Sequence, residues 1–271
     1  MTTRSATLNV MIRAADKAAR QLRRDFGEIE NLQVSKKGPA DFVSTADTAA
    51  ENIIREVLLK ARPDYGFIME EAGTAAGTDK DERCWVVDPL DGTSNFLHGL
   101  PHWAISIALA ERGSILAGIV LDPIKNELFQ AEKGTGAFLN GRRIRASSRR
   151  RLDECLIATG APYHGHGDRG TFVREIDAVM AATAGIRRWG AASLDLAYVA
   201  AGRYDGYWER DLSSWDIAAG IAILREAGGL VTTIDGKSIR LDSPSILAAN
   251  EYTHFPLVKL LRGASRPTAG A

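Results

Sequence analysis

At 271 residues the chain can form one large domain or two modest ones with a substantial buried core. Hydrophobic residues at 45% and charged residues at 25% exclude a disordered or fibrous chain. Lys+Arg and Asp+Glu both number 34, so bulk charge points to neither nucleic acid nor membrane, and such a partner would need a local patch.

Leu8, Met11, Ile12, Ala15, Ala19, Leu22 and Phe26 recur at helical spacing and predict an opening amphipathic helix. "NLQVSKKGPADFVS" reads as a polar connection punctuated by Gly38-Pro39. A second helix is predicted from about Thr45 to Arg62, with Ile53, Ile54, Val57 and Leu58 on its apolar side. "YGFIM" is a short strand, "EEAGTAAGTDKDE" a loop, and "RCWVVD" a strand stopped by Pro89. "WAISIALAE", "SILAGIVLD" and "NELFQAEKG" are successive strands, and Asn140-Gly141 is the strongest hairpin signal in the chain. The first half, to about residue 145, is thus two helices with an antiparallel sheet.

The second half, about 146–263, alternates. "CLIATG", "GIRRW", "YDGYWE", "GLVTTID" and "SILAAN" read as strands; "DRGTFVREIDAVMAATA", "AASLDLAYVAAG" and "SSWDIAAGIAILREAG" read as helices between them. A last helix from about Tyr252 to Arg262 precedes a frayed tail, residues 264–271. This alternation predicts an α/β layer with helices on both faces, and a cleft between the halves of a single domain. Cys84 and Cys155 lack metal-site spacing; Cys84, beside an apolar strand, is expected as a buried thiol. The opening residues lack a continuous apolar signal core, and no run of eighteen apolar residues occurs, so a soluble cytoplasmic protein is expected.

Chemistry concentrates in "WVVDPLDGTSNF". Asp88 and Asp91 leave the end of a buried strand on a turn stiffened by Pro89. Hard divalent cations favour such oxygen ligands, and the N–H groups of Gly92 and Thr93 suit a phosphate oxygen. A solvated turn explains most Asp-Pro and Asp-Gly pairs, but D-P-x-D-G-T arises by chance on the order of once in 10⁴ chains of this length. Glu70 and Glu71 follow a strand in "IMEEAG", and Asp216 stands in the first turn of a predicted helix with Ser213 or Ser214 as its cap. Two like charges at 4 Å repel by about 4 kcal/mol at an effective dielectric near 20, so acids that converge require cations between them.

With "DFVSTAD", "EEAG", "GLPHWAISIAL", "GAASLDLAYVAAGRYDGYWE" and "WDIAAG...REAGG", these segments resemble the inositol monophosphatase family of magnesium-dependent phosphatases, within the group that includes fructose-1,6-bisphosphatases. The likeness runs over nearly the whole chain. It implies a layered αβαβα sandwich (an α+β half joined to an α/β half) and a homodimer. It implies two to three Mg²⁺ ions per site: Glu70, Asp88 and the Leu90 carbonyl on one, Asp88, Asp91 and Asp216 on a second, and a weaker third near Glu70. Gly92 and Thr93 would receive the phosphate. Asp91, Asp216, Glu209 and the loop of Gly190, Ala191 and Ala192 would contact the rest of the substrate. Glu70 and Thr93, with Asp47 behind Thr93, are the candidates to orient and deprotonate the attacking water.

The expected reaction is hydrolysis of a small polyol phosphate, inositol-1-phosphate first, with fructose-1,6-bisphosphatase or nucleotide 3′-phosphatase activity as alternatives. Ala191 departs from the family's usual hydroxyl residue, and Met69 from its usual small one. Trp189 is expected in core packing, His98 and His102 in polar cleft or interface roles, and "YHGHGD" as a loop. "RRIRASSRRR", with six arginines between Arg142 and Arg151, reads as a solvated hairpin and connection. It is also the sole support for a different class, a regulatory protein that binds RNA or a transcription complex.

Overall fold

The structure is a computed structural model that describes residues 4–28, 34–38, 41–163 and 165–265. Helix α1 (Ala6–Phe26) starts at Ser5, whose side chain accepts the Leu8 N–H at 3.1 Å, and its apolar stripe is buried. Helix α2 (Thr45–Ala61) lies beside it. Where a plain connection was expected, β1 (Val34–Gly38) and β2 (Asp41–Ser44) form an antiparallel hairpin. Lysine and glycine content hid these strands from a reading based on apolar alternation.

The large sheet contains β3 (Gly66–Met69), β4 (Gly73–Ala75), β5 (Arg83–Asp91), β6 (Ala104–Glu111), β7 (Ser114–Asp122), β8 (Glu127–Glu132), β9 (Gly136–Leu139) and β10 (Arg142–Arg143), in the order β10-β9-β8-β7-β6-β5-β3-β4. It is not wholly antiparallel, because β3 runs parallel to β5. The expected loop after Glu71 folds back as β4. Asn140 and Gly141, with φ of 48° and 78°, make the predicted two-residue turn between β9 and β10.

The second half holds β11 (Leu156–Thr159), α4 (Arg169–Ala182), β12 (Gly185–Arg187), α5 (Ala192–Ala200), β13 (Gly206–Arg210), α6 (Ser214–Glu226), β14 (Leu230–Thr232), β15 (Ser245–Ala249) and α7 (His254–Ala264). Its sheet, in the order β12-β11-β13-β15-β14, is parallel across the first three strands and antiparallel across the rest.

Alternation along the strands sorts the core into layers. Trp85, Val87, Ile105 and Ile107 pack with α1 and α2, whereas Val86, Ala104, Ala108 and Val120 pack with α5 and α6. On the far side of that helix pair lie Ala158, Tyr207, Ile246 and Ala248; Ile157, Trp208, Leu247 and Ala249 face α4 and α7. The result is the five-layer αβαβα sandwich. Helix α6 sits so close to β7 that a Cβ on Gly118 would lie 2.6 Å from the Ala219 carbonyl oxygen.

Of the cysteines, Cys155 rather than Cys84 is fully buried; its thiol is pushed up to about 12 by desolvation. Trp189, expected in the core, is 50% exposed and stacks on His102 at 5.3 Å. Among the described residues no helix is long and apolar enough to cross a membrane.

Candidate active site

Strand β5 does not stop at Pro89 but runs through it to Asp91. Asp88 pairs with Ser106 and Asp91 with Ala104, so three steps on β5 oppose two on β6. That extra residue is a bulge, a place where proline's missing N–H costs the ladder nothing. It also resets the alternation. Residues three apart on a regular strand face opposite sides, but Ser106 and Ala104 face one side, so their partners Asp88 and Asp91 do too. This is the face that meets α6, where the Ser106 hydroxyl reaches the Trp215 carbonyl at 3.3 Å.

Other elements bring the remaining acids to that face. Glu70 follows Met69, which pairs with Val87 in the neighbouring strand, and thus emerges beside Asp88. Asp216 is the third residue of α6, and its Oδ2 accepts the Ser213 N–H at 2.6 Å. Ser213, not Ser214, is the cap. Asp91 Oδ2 accepts the N–H and the hydroxyl of Ser193, at 2.8 and 2.5 Å, in the first turn of α5. Asp88 Oδ1 accepts the Leu90 N–H at 2.9 Å.

The electrostatics of this group are one-sided. Asp88 is held well above the usual carboxylate range by desolvation, then by Glu70, Asp91 and Asp216. Desolvation and the charge of Asp91 do the same to Asp216, which keeps a part-exposed face toward the cleft. Asp91 is raised to about 6 by desolvation, against the opposing hydrogen bonds from Ser193. Glu209 is raised to about 7, again chiefly by desolvation; the Tyr207 hydroxyl donates to its Oε2 at 2.5 Å.

Among the described residues no three acids, histidines or cysteines close into a ready-made cation cage. The donor set nevertheless fits a hard divalent cation. It is all oxygen, burial desolvates Asp88, Asp91 and Asp216, and no cationic side chain is among the leading influences on Asp88.

Beside the acids, the Thr93 hydroxyl stands 3.0 Å from both Asp47 Oδ1 and the Leu90 carbonyl. Gly92, at φ 93°, opens a short helix, α3 (Thr93–Leu97). A Cβ at Gly92 would come within 3.4 Å of both the Ala191 side chain and the Gly190 carbonyl, so the Gly190–Ala192 loop lies against it. Asn95 fastens that loop by donating to the Trp189 carbonyl at 2.7 Å.

A cleft of about 300 Å³ reaches from Glu70, Glu209 and Asp216 to Tyr163, Phe172 and Trp215. The "YHGHGD" segment borders it through Tyr163, His166, Gly167 and Asp168, while residue 164 lies outside the described residues. Gly160 permits Glu209 its place, since a Cβ there would lie 1.7 Å from Oε1. His98 is exposed and His102 packs under Trp189; neither joins the acids.

Sequence reasoning missed Ser193, Glu51, Asn95, Tyr207 and Gly160. Only Glu51 carried a usable signal. It falls with Asp47 on the buried stripe Ala46, Ala50, Ile54 and Leu58 of α2, an odd place for two acids.

A five-layer sandwich whose strand ends and helix start gather four acids beside a glycine turn defines the layered, sugar-phosphatase type of protein. The chain belongs to the inositol monophosphatase family, whose model matches residues 4–265. It is 57% identical to an inositol-1-monophosphatase of Rhizobium meliloti over 92% of this chain and 93% of that one. The crystal structure of the extragenic suppressor protein suhB from Bartonella henselae superposes with a TM-score of 0.92 at 54% identity, covering 95% of this chain and 99% of the other. The Nus factor SuhB of Pseudomonas aeruginosa is 44% identical over 90% of this chain and 91% of its own length. Family membership makes this chain a metal-dependent phosphoric monoester hydrolase.

Proposed function

We propose that this chain hydrolyses the phosphate monoester of a small polyol, inositol-1-phosphate first, with Mg²⁺ held by Glu70, Asp88, the Leu90 carbonyl, Asp91 and Asp216. The observation that carries the reading is a set of desolvated, mutually repelling acids beside a threonine hydroxyl tied to a buried aspartate. Two or three bound ions would polarise the phosphoryl oxygens, lower the pKa of a water and steady the leaving oxygen.

The chain's own groups do the rest. Donation from the Thr93 hydroxyl to Asp47 leaves the oxygen's lone pairs to accept from the attacking water. Glu70 takes that water's proton, and the N–H groups of Gly92 and Thr93 hold the phosphate. Asp91, Asp216, Glu209 and the loop of Gly190, Ala191 and Ala192 read the polyol, with Tyr207 orienting Glu209. Displacement is in line, without a phosphoenzyme. Among the described cleft-lining residues the one arginine or lysine is Arg210, and it is engaged by Glu175.

The test is a panel of phosphate esters with Mg²⁺, with and without chelator. Turnover of inositol-1-phosphate should exceed that of fructose-1,6-bisphosphate and 3′-nucleotides and vanish with chelator; chelator-insensitive turnover sinks the mechanism.

We further propose a cytoplasmic homodimer. Trp189, next to Gly190, and Leu100 are both exposed apolar side chains that suit a second copy, and both cysteines are free. A monomer by light scattering at micromolar concentration removes the dimer.

The Nus factor name of one relative is the specific reason to keep the transcription reading. Against it, Arg149 is paired with Asp205 and Arg151 with Asp153, which leaves less of the run's charge for RNA. Replacing Arg149, Arg150 and Arg151 by Ala should leave turnover unchanged; salt-sensitive RNA binding lost in that variant would support the second reading.

A further inference from the structure

Two buried acids stand one turn apart on α2, and they serve different parts of the site. Asp47 holds Thr93. Glu51, 3% exposed, turns to the segment that follows Glu70. Its Oε2 accepts the Glu71 N–H at 2.8 Å, and its Oε1 accepts the Ala72 N–H at 2.9 Å. One carboxylate thus grips two successive backbone amides. On the other flank of Glu70, Met69 is fixed in the parallel ladder opposite Val87. Glu70 therefore stands between a strand and a clamp.

The turn itself gives the fold little reason for such a grip. Ala72 is exposed, and Glu71 and Gly73 are half-buried, so fastening them buries little apolar surface. A buried anion behind an acid-rich cleft is also costly unless its hydrogen bonds compensate. What the clamp does accomplish is local: it fixes the backbone on one side of Glu70 as β3 does on the other, holding residue 70 where its side chain meets that of Asp88.

We propose that Glu51 is a positioning residue for cation binding, clamping the Glu70–Ala72 turn so that Glu70 and Asp88 present their oxygens to one ion. The inference rests on the phosphatase reading of the acid cluster. It assigns α2 two separable tasks: Asp47 serves the water, Glu51 serves the metal.

Glu51→Gln keeps the shape but sets an amide NH₂ against a backbone N–H. The Mg²⁺ concentration for half-maximal turnover should rise about 10- to 100-fold, while kcat at saturating Mg²⁺ stays close to wild type. Calorimetry with Mg²⁺ alone and substrate-free protein should show the same loss of affinity. Asp47→Asn should show the opposite split, with kcat reduced and the Mg²⁺ midpoint unmoved.

An unchanged Mg²⁺ midpoint in Glu51→Gln, or a lost kcat that Mg²⁺ does not restore, overturns the proposal. If that variant does not fold, hydrogen exchange on the wild type decides. The Glu71 and Ala72 amides should exchange as slowly as those of β3, and exchange at open-loop rates overturns the clamp. A wild type without Mg²⁺-dependent turnover would instead defeat the phosphatase reading, with the calorimetric comparison still able to test Glu51.

Discussion

Helices α2 and α6 begin alike and end in different chemistry. Each opens with Ser-x-x-Asp: Ser44 to Asp47 in one, Ser213 to Asp216 in the other, with the aspartate reaching back to the serine N–H. In α2 both oxygens of the acid are taken by donors. Asp47 Oδ2 accepts from the N–H and hydroxyl of Ser44, at 2.8 and 2.6 Å, and Oδ1 faces Thr93. In α6 one oxygen of Asp216 accepts from Ser213, and the acid otherwise feels the charges of Asp91, Glu70 and Glu209. The same cap makes a fixed hydrogen-bond acceptor where donors take both oxygens, and leaves an acid among acids, the cation ligand of the proposed function, where they take one. Secondary structure places the carboxylate; its neighbours decide what it is for.

Neutralising each acid should therefore give different failures. Asp216→Asn keeps an oxygen for the Ser213 N–H but removes the charge. Turnover should fall on the order of 10²- to 10³-fold and Mg²⁺ affinity with it, while the chelated protein at pH 8 becomes more stable. Near wild-type turnover would break the contrast. Asp47→Asn should lower kcat by roughly 10²-fold. Asparagine that keeps its oxygen on Ser44 turns its NH₂ to Thr93, occupying the lone pair that the water needs. Thr93 can then donate to Leu90, so the melting temperature should change little.

How far the sequence disclosed this depends on whether a residue's signal was local. Asp88 and Asp91 stood out as a string, yet what aligns them is the bulge at Pro89, and only the pairing of Asp91 with Ala104 reveals it. Layers and most elements were legible because alternation and helical spacing record which face is buried. The hairpin of β1 and β2 was not, since lysines and glycine carry no apolar period. Ser193 could not be found: nothing in "GAASLDL" says that the serine meets a strand 102 residues earlier in the chain. Trp189 was misjudged because aromatic character alone does not separate core from exposed patch.

Proton binding gives a third way to test the contrast. Asp91 and Glu209 are raised to about 6 and 7 by desolvation, and burial likewise holds Asp88, Asp195 and Asp216 well above the usual carboxylate range. The folded state therefore keeps protons that the unfolded chain has already released. Their contribution to stability is present at low pH and is lost as pH rises through the folded-state values. Buried His102, lowered to about 4, acts oppositely below its usual 6.5. In chelator, the melting temperature should thus decline as pH rises through about 6 to 7, and Mg²⁺ should restore it above that range. A chelated protein that gains stability over that range would show that the acids are already compensated.

The smallest effects should come from the caps. Ser44→Ala removes an oxygen that accepts the Ala46 N–H at 3.1 Å and donates to Asp47, so α2 should lose about 1 kcal/mol in denaturant unfolding. Ser213→Ala should cost less: the N–H bond to the aspartate survives in both variants, but Ser44→Ala also removes a hydroxyl bond to buried Asp47. Neither should move the Mg²⁺ midpoint if Asp216 is held by backbone and Asp47 does not touch the ion. A shifted midpoint in Ser44→Ala alone would mean that Asp47, through Thr93 and the Leu90 carbonyl, also sets the ion site. The two helices would then share one task rather than divide two.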